Sequence, residues 1–168
     1  MLLVFFYKTK SFKQPITMHF NCFLQFNALS RVQQVTLFAA WARLPLFWLG
    51  LRMLGLPRFQ AWLIKTPAQC TGALTLPDIK ALGETVNIAA RHTPFPATCL
   101  TRSLLLGWLL QRCGVQSDLR IGVRLIQGTL DAHAWVECAG LPVNDRPDIA
   151  RDFAPFGNIV PTAAFYSR

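Results

Sequence analysis

The hydrophobic period of this chain changes at Gly114, and no other feature constrains its fold as much. Before Gly114 the apolar residues Leu100, Leu104, Leu105, Trp108 and Leu109 recur at helical spacing, with Thr101, Arg102, Gln111 and Arg112 outside. Beyond it Leu119, Ile121 and Val123 alternate with Arg120, Gly122 and Arg124, as in a strand with one dry face. Gln127-Gly128-Thr129 then turns the chain into a second strand, Asp131 to Glu137, on which His133, Trp135 and Glu137 share a face. A central helix packed on a small antiparallel sheet, an α+β fold, satisfies both periods.

Local signals set where that helix begins. Pro94 and Pro96 hold the approach extended, Thr98 is the expected N-cap, Cys99 the first helical residue and Gly114 the C′ glycine. A cysteine at that position has its thiolate stabilised by unpaired backbone N–H groups and by the positive end of the helix dipole. The bland alternative is a small buried hydrophobe.

The sheet supplies partners for the thiol. Gly140, at the third position of Cys138-Ala139-Gly140, favours a three-residue hairpin loop with a G1 bulge, which pairs Glu137 with Leu141, Trp135 with Val143 and His133 with Asp145. Cross-strand neighbours stand with Cβ atoms about 5 Å apart, so Asp145 is expected to accept a hydrogen bond from the His133 imidazole. A two-residue loop would put His133 and Asp145 on opposite faces. Cys99, His133 and Asp145 therefore read as nucleophile, base and orienting carboxylate, with the Cys99 N–H as an oxyanion donor. His92 is either a helix-end residue or a substrate contact just ahead of the nucleophile. Trp135 either walls the cleft or packs.

No metal site is expected. Cys113 lies 14 residues past Cys99, about 21 Å along one helix, so the two cannot share an ion. Cys138 is five residues from His133 and faces the other way. Cys113 and Cys138 read as core residues, Cys22 and Cys70 as incidental, and His19 is uninformative. Five scattered cysteines without a CxxC pair are no disulfide framework, and Met1 to Tyr7 is too short for a signal-peptide core, so a reducing cytoplasm is the expected compartment.

The N-terminal part has a different character. Of the net charge of +9, residues 1–77 carry +8, from eight basic residues and no acidic one, whereas residues 78–168 carry nine basic and eight acidic residues. From Val32 the pattern is helical and apolar; Pro45 is expected to interrupt it, with a second helix from Leu46 ending at Gly55-Leu56-Pro57. Val35 to Leu56 is long enough to span a bilayer, but Arg43 and Arg52 would each cost about 2.5–3.5 kcal/mol there, so buried or partner-facing helices are the preferred reading. Zinc-finger spacing, an RNP-like motif and a dense basic cluster are all lacking, so nucleic acid is not an expected partner. The organisation expected is a 1–30 extension, with Met18 as an alternative start, a 31–74 helical region, and a 75–168 domain that carries Cys99, His133 and Asp145. A turn-rich 66–79 forms the boundary. A helix follows from Leu76-Pro77-Asp78-Ile79 to about Ala90, and 146–168 forms a tail over the domain.

The run Pro94-Phe95-Pro96-Ala97-Thr98-Cys99-Leu100-Thr101-Arg102-Ser103, followed by Ile121-Gly122-Val123, Ala132-His133-Ala134-Trp135-Val136-Glu137 and Val143-Asn144-Asp145, resembles the lasso peptide biosynthesis leader peptidases, which are transglutaminase-like cysteine proteases. The likeness covers roughly residues 75–157. It implies a transglutaminase/papain-like core that removes the leader from a ribosomally made lasso precursor before macrolactam cyclisation, with Cys99 as nucleophile, His133 as base, Asp145 as orienter and no cofactor. The implied partners are the precursor (leader) peptide and an asparagine-synthetase-like lasso cyclase. Because residues 1–70 lack the strand pattern of a fused recognition domain, a separate leader-recognition protein is expected too. The apolar N-terminal helices are its docking surface or the cyclase's, with peripheral membrane association as their other use. Two alternatives remain at this level: a transglutaminase-like acyl transferase using the same triad, and a non-catalytic membrane-associated scaffold.

Overall fold

In the computed structural model the described residues are 31–65 and 73–155, and from Val35 onward they belong to one compact unit. The 1–30 extension, Met18, His19, Cys22, Cys70, residues 66–72 of the 66–79 boundary and the tail beyond 155 lie outside the described residues. The elements are α1 (Arg31–Ile64), α2 (Leu76–Arg91), α3 (Cys99–Arg112), β1 (Asp118–Ile126), β2 (Thr129–Cys138), β3 (Leu141–Pro142), α4 (Ile149–Asp152) and β4 (Ala154–Pro155). The sheet is antiparallel with strand order β3-β2-β1-β4.

Pro45 does not end the first helix as expected: it lies inside α1, and the break comes at Gly55, with φ 71° and ψ 166°. An interior proline costs about 3 kcal/mol. Leu44 and Phe47 on either side of it are buried in the core, and their packing offsets that cost. Gly55 takes the positive φ that stops a helix, and Pro57 suits the first turn of the arm that follows. The two arms fold back on each other. Phe47 and Phe59 would be about 18 Å apart on a straight helix, yet their rings meet edge to face at 5.3 Å.

α3 is the central element. Its Thr98 cap, its start at Cys99 and its stop before Gly114 (φ 70°) are those the local signals dictate. Its burial is wider than the apolar stripe suggests. Thr101, expected outside, is buried because its hydroxyl bonds the Thr98 hydroxyl at 3.0 Å, and the buried Ser103 hydroxyl donates to the Ala134 carbonyl of β2 at 3.0 Å. Leu104, Leu105, Leu106 and Leu110 join Val86 and Ala89 of α2, Val136 of β2 and the buried residues of α1 in one core.

Both hairpins use two-residue loops. Ile126 pairs with Thr129 around Gln127-Gly128, and Cys138 pairs with Leu141 around Ala139-Gly140, with φ positive at all four loop residues. That is the type I′ pattern, whose twist matches that of the strands. The expected three-residue loop is therefore corrected: Ala139 accepts the left-handed conformation, and Glu137 faces Pro142 instead of Leu141.

Candidate active site

Continued as a ladder, the two-residue register would carry Asp145 to the face opposite His133. The ladder stops instead. Val143 donates its N–H to the Val136 carbonyl at 3.0 Å, but the Val136 N–H goes to the side-chain oxygen of Asn144 at 2.8 Å and not to the Val143 carbonyl. That carbonyl is turned against α2, where a Cβ on Gly83 would lie 2.2 Å from it. Only a glycine at 83 leaves room for this bend.

Asn144 ties the bent segment to three elements. Its side-chain amide donates to the Ser103 hydroxyl on α3 at 3.0 Å, its side-chain oxygen holds β2, and its backbone carbonyl accepts from Asn87 of α2 at 2.9 Å. The next residue is thereby delivered to the imidazole, and His133 Nε2 and Asp145 Oδ2 stand 2.7 Å apart. Sequence reasoning reached this pair through the wrong register and missed the Asn144 clamp. Its available signal was an amide residue directly before the carboxylate, at the point where alternation fails.

The opposite side of the imidazole meets the thiol. With Nε2 occupied by Asp145, Nδ1 is the ring nitrogen left for Cys99, which is hydrogen-bonded to His133 and to the backbone N–H groups of Ala134 and Leu100. Burial pushes the Cys99 thiol up, but those hydrogen bonds and the imidazolium charge outweigh it and leave the pKa below its ordinary value. The His133 pKa is pushed up to about 9 by its hydrogen bonds to Asp145 and to Cys99 and by their charges, against its own burial. Asp145 is raised by burial but more strongly lowered by the His133 hydrogen bond, the Arg146 N–H at 2.9 Å and the charges of His133 and Arg102. All three shifts favour one state, a thiolate and an imidazolium backed by a carboxylate. Such a set can deliver a sulfur nucleophile to a carbonyl and a proton to the leaving group.

The remaining walls hold the ring in place. Trp135 is 2% exposed, lies beside His133 with ring centroids 6.2 Å apart and donates its indole N–H to Glu137 at 2.8 Å, so of its two expected roles it takes packing. Phe153, which the sequence placed only in a covering tail, sits 5.2 Å from the imidazole. Gly122, opposite His133 in the register, makes room for both, because a Cβ there would come within 2.6 Å of Phe153 and 3.0 Å of Trp135. His92 is the exposed C-cap of α2; its N–H bonds Ala89 and its carbonyl accepts the Trp41 indole N–H at 3.0 Å. Beside Asp145 opens a cleft of about 510 Å³ lined by Lys80, Arg102, Asn144 and Arg146 among others.

The other cysteines differ from Cys99. Cys138 is a buried free thiol, whereas Cys113, half-buried at the α3 C-cap, is disulfide-bonded and not the core thiol expected. Among the described residues no group of three His, Cys, Asp or Glu side chains is placed to hold a metal ion.

The model of the transglutaminase-like superfamily matches residues 44–158, well over half of the chain. It begins inside α1 and takes in Cys99, His133 and Asp145. No curated protein and no solved structure matches the sequence.

Proposed function

This chain belongs to the transglutaminase-like superfamily, and on that premise we propose that it is a cysteine peptidase which removes the leader from a ribosomally synthesised lasso precursor before macrolactam cyclisation. The observation that carries the reading is the meeting of Cys99, His133 and Asp145 from a helix N-terminus, a strand and a bent segment. The motif run around Cys99, with Ala132-His133-Ala134-Trp135 and Asn144-Asp145, supports the lasso assignment.

In the proposed reaction the Cys99 thiolate adds to the carbonyl of the last leader residue, and the oxyanion is met by the Cys99 N–H, which has no intrahelical acceptor at this helix end. The C–N bond then breaks, and the His133 imidazolium gives its proton to the departing amine, the N-terminus of the core peptide. A water molecule, deprotonated by His133, attacks the thioester; the C–S bond breaks and the leader leaves as a carboxylic acid. Asp145 stays ionised throughout and orients the ring. A separate leader-recognition protein presents the precursor, and the lasso cyclase takes the product.

Mass spectrometry of the precursor, incubated with the recognition protein and either wild type or Cys99→Ala, tests this. A single cut at the leader–core junction, seen with wild type only, is expected. A product in which the acyl group has passed to an amine would assign a transferase instead. No cut by a folded, partner-binding wild type would overturn the peptidase reading in favour of a scaffold.

A further inference from the structure

The first arm of α1 is apolar on two opposite faces, and the core uses one. At 100° per residue, the buried Ala40, Leu44 and Phe47 fall within a single sector of about 60°. Val35, Phe38, Ala42, Leu46, Leu49 and Met53 fall in a second sector of about 80° on the far side, and all are exposed, Val35 and Met53 to 69% and 74%. The stripe runs from Val35 to Met53, about 27 Å. Exposed apolar patches of this extent mark a binding surface.

From geometry, charge and polarity we infer that this stripe seats the protein on an anionic lipid bilayer, with the helix lying in the plane of the surface. Arg52 is exposed on one flank of the stripe, where its guanidinium reaches phosphate headgroups while the aliphatic side chains enter the acyl boundary; Arg43, on the other flank, is turned to the protein, bonding the Ala39 carbonyl at 2.9 Å and lying over the Trp108 ring. Nothing between residues 31 and 77 carries a negative charge to oppose this. The stripe itself offers no side-chain donor or acceptor, whereas a protein partner of this size requires about one hydrogen bond per 100–200 Å². Gln34–Ile64 is, by length and composition, long and apolar enough to cross a membrane. The bend at Gly55 and the burial of Ala40, Leu44 and Phe47 in the core exclude a straight span and leave an in-plane contact.

The test is co-sedimentation of the full chain with phosphatidylcholine vesicles and with phosphatidylcholine–phosphatidylglycerol vesicles, at low and high salt, with the triple variant Leu46→Gln/Leu49→Gln/Met53→Gln alongside. Expected are binding to the anionic vesicles on the order of tenfold tighter than to the neutral ones, weakening with salt, and loss of binding in the variant. Retained circular dichroism and Cys99 alkylation rate show the variant folded; should it not fold, Val35→Gln/Met53→Gln, at the two most exposed positions, takes its place. Failure of wild type to bind either vesicle, or undiminished binding by a folded variant, overturns the inference. So does a vesicle-independent dimer that the variant dissolves, which would assign the stripe to a second copy, or loss of recognition-protein binding with vesicle binding intact. Leader cleavage plays no part in these readouts, so the inference and the peptidase reading fail separately.

Discussion

Cys99 and Cys138 are both free thiols on the same small domain, and their surroundings push them in opposite directions. Cys138 is only five residues from His133 along β2, but an odd offset turns it to the other face and about 17 Å along the strand. There it is 4% exposed in the core, and burial, helped by the Asp118 carboxylate, pushes its pKa up to about 11. Cys99 is 34 residues away in sequence, yet α3 lays it against the imidazole, where hydrogen bonds and charge outweigh the same burial effect. Reactivity here follows from the ends of elements and their faces, not from proximity along the chain.

The sharpest break in that contrast is removal of one sulfur. Cys99→Ala is expected to reduce leader cleavage to background while leaving the thermal midpoint near that of wild type, and Cys138→Ala to leave cleavage largely intact; comparable losses from both would refute separate roles. Next in size is Asp145→Asn, for which a fall in turnover of about 10²- to 10⁴-fold follows if an oriented acid–base group is lost. Single-turnover kinetics with the precursor would measure it.

Gly83→Ala comes third, and it probes the bend that delivers Asp145. The Val143 carbonyl must move from the new Cβ, so a destabilisation of about 1–3 kcal/mol, typical of overpacking, should accompany a slower alkylation of Cys99. Denaturant unfolding and iodoacetamide kinetics read the two effects; a stability loss with unchanged alkylation would confine Gly83 to packing.

The pH dependence sharpens the comparison further. The His133 pKa is raised to about 9 in the folded state, so its contribution to stability is complete below the ordinary value near 6.5 and is lost as pH rises through about 9. Asp145, lowered, contributes above the ordinary carboxylate range and loses that contribution as pH falls through its depressed value. Thermal midpoints across pH should show the alkaline loss in wild type and its displacement to lower pH in Asp145→Asn. The smallest effect belongs to Cys138→Ala, about 1 kcal/mol of lost core packing, visible as a shift in denaturant midpoint.

Much of the fold was legible because it rests on local chemistry. The helical period around Leu104, Leu105 and Trp108, the Thr98 cap and the Gly114 stop act within a few residues, so sequence alone determined α3 and put Cys99 at its first position. The alternation from Leu119 to Glu137 likewise determined β1, β2 and the face that carries His133. Pro45 misled because the cost of an interior proline is local, whereas the Leu44 and Phe47 burial that offsets it comes from elements far along the chain.

The meeting of His133 and Asp145 was decided only in three dimensions. Turn chemistry suggested a bulged loop, and the tighter Ala139-Gly140 turn taken instead would have separated the two residues had the ladder continued. It stops because Asn144 finds acceptors and donors on α2, α3 and β2 at once, and because Gly83 leaves space for one carbonyl. Neither the bonds of Asn144 to three elements nor the gap opposite a missing Cβ is encoded in the neighbours of Asp145. Each exists only once the helices have packed on the sheet.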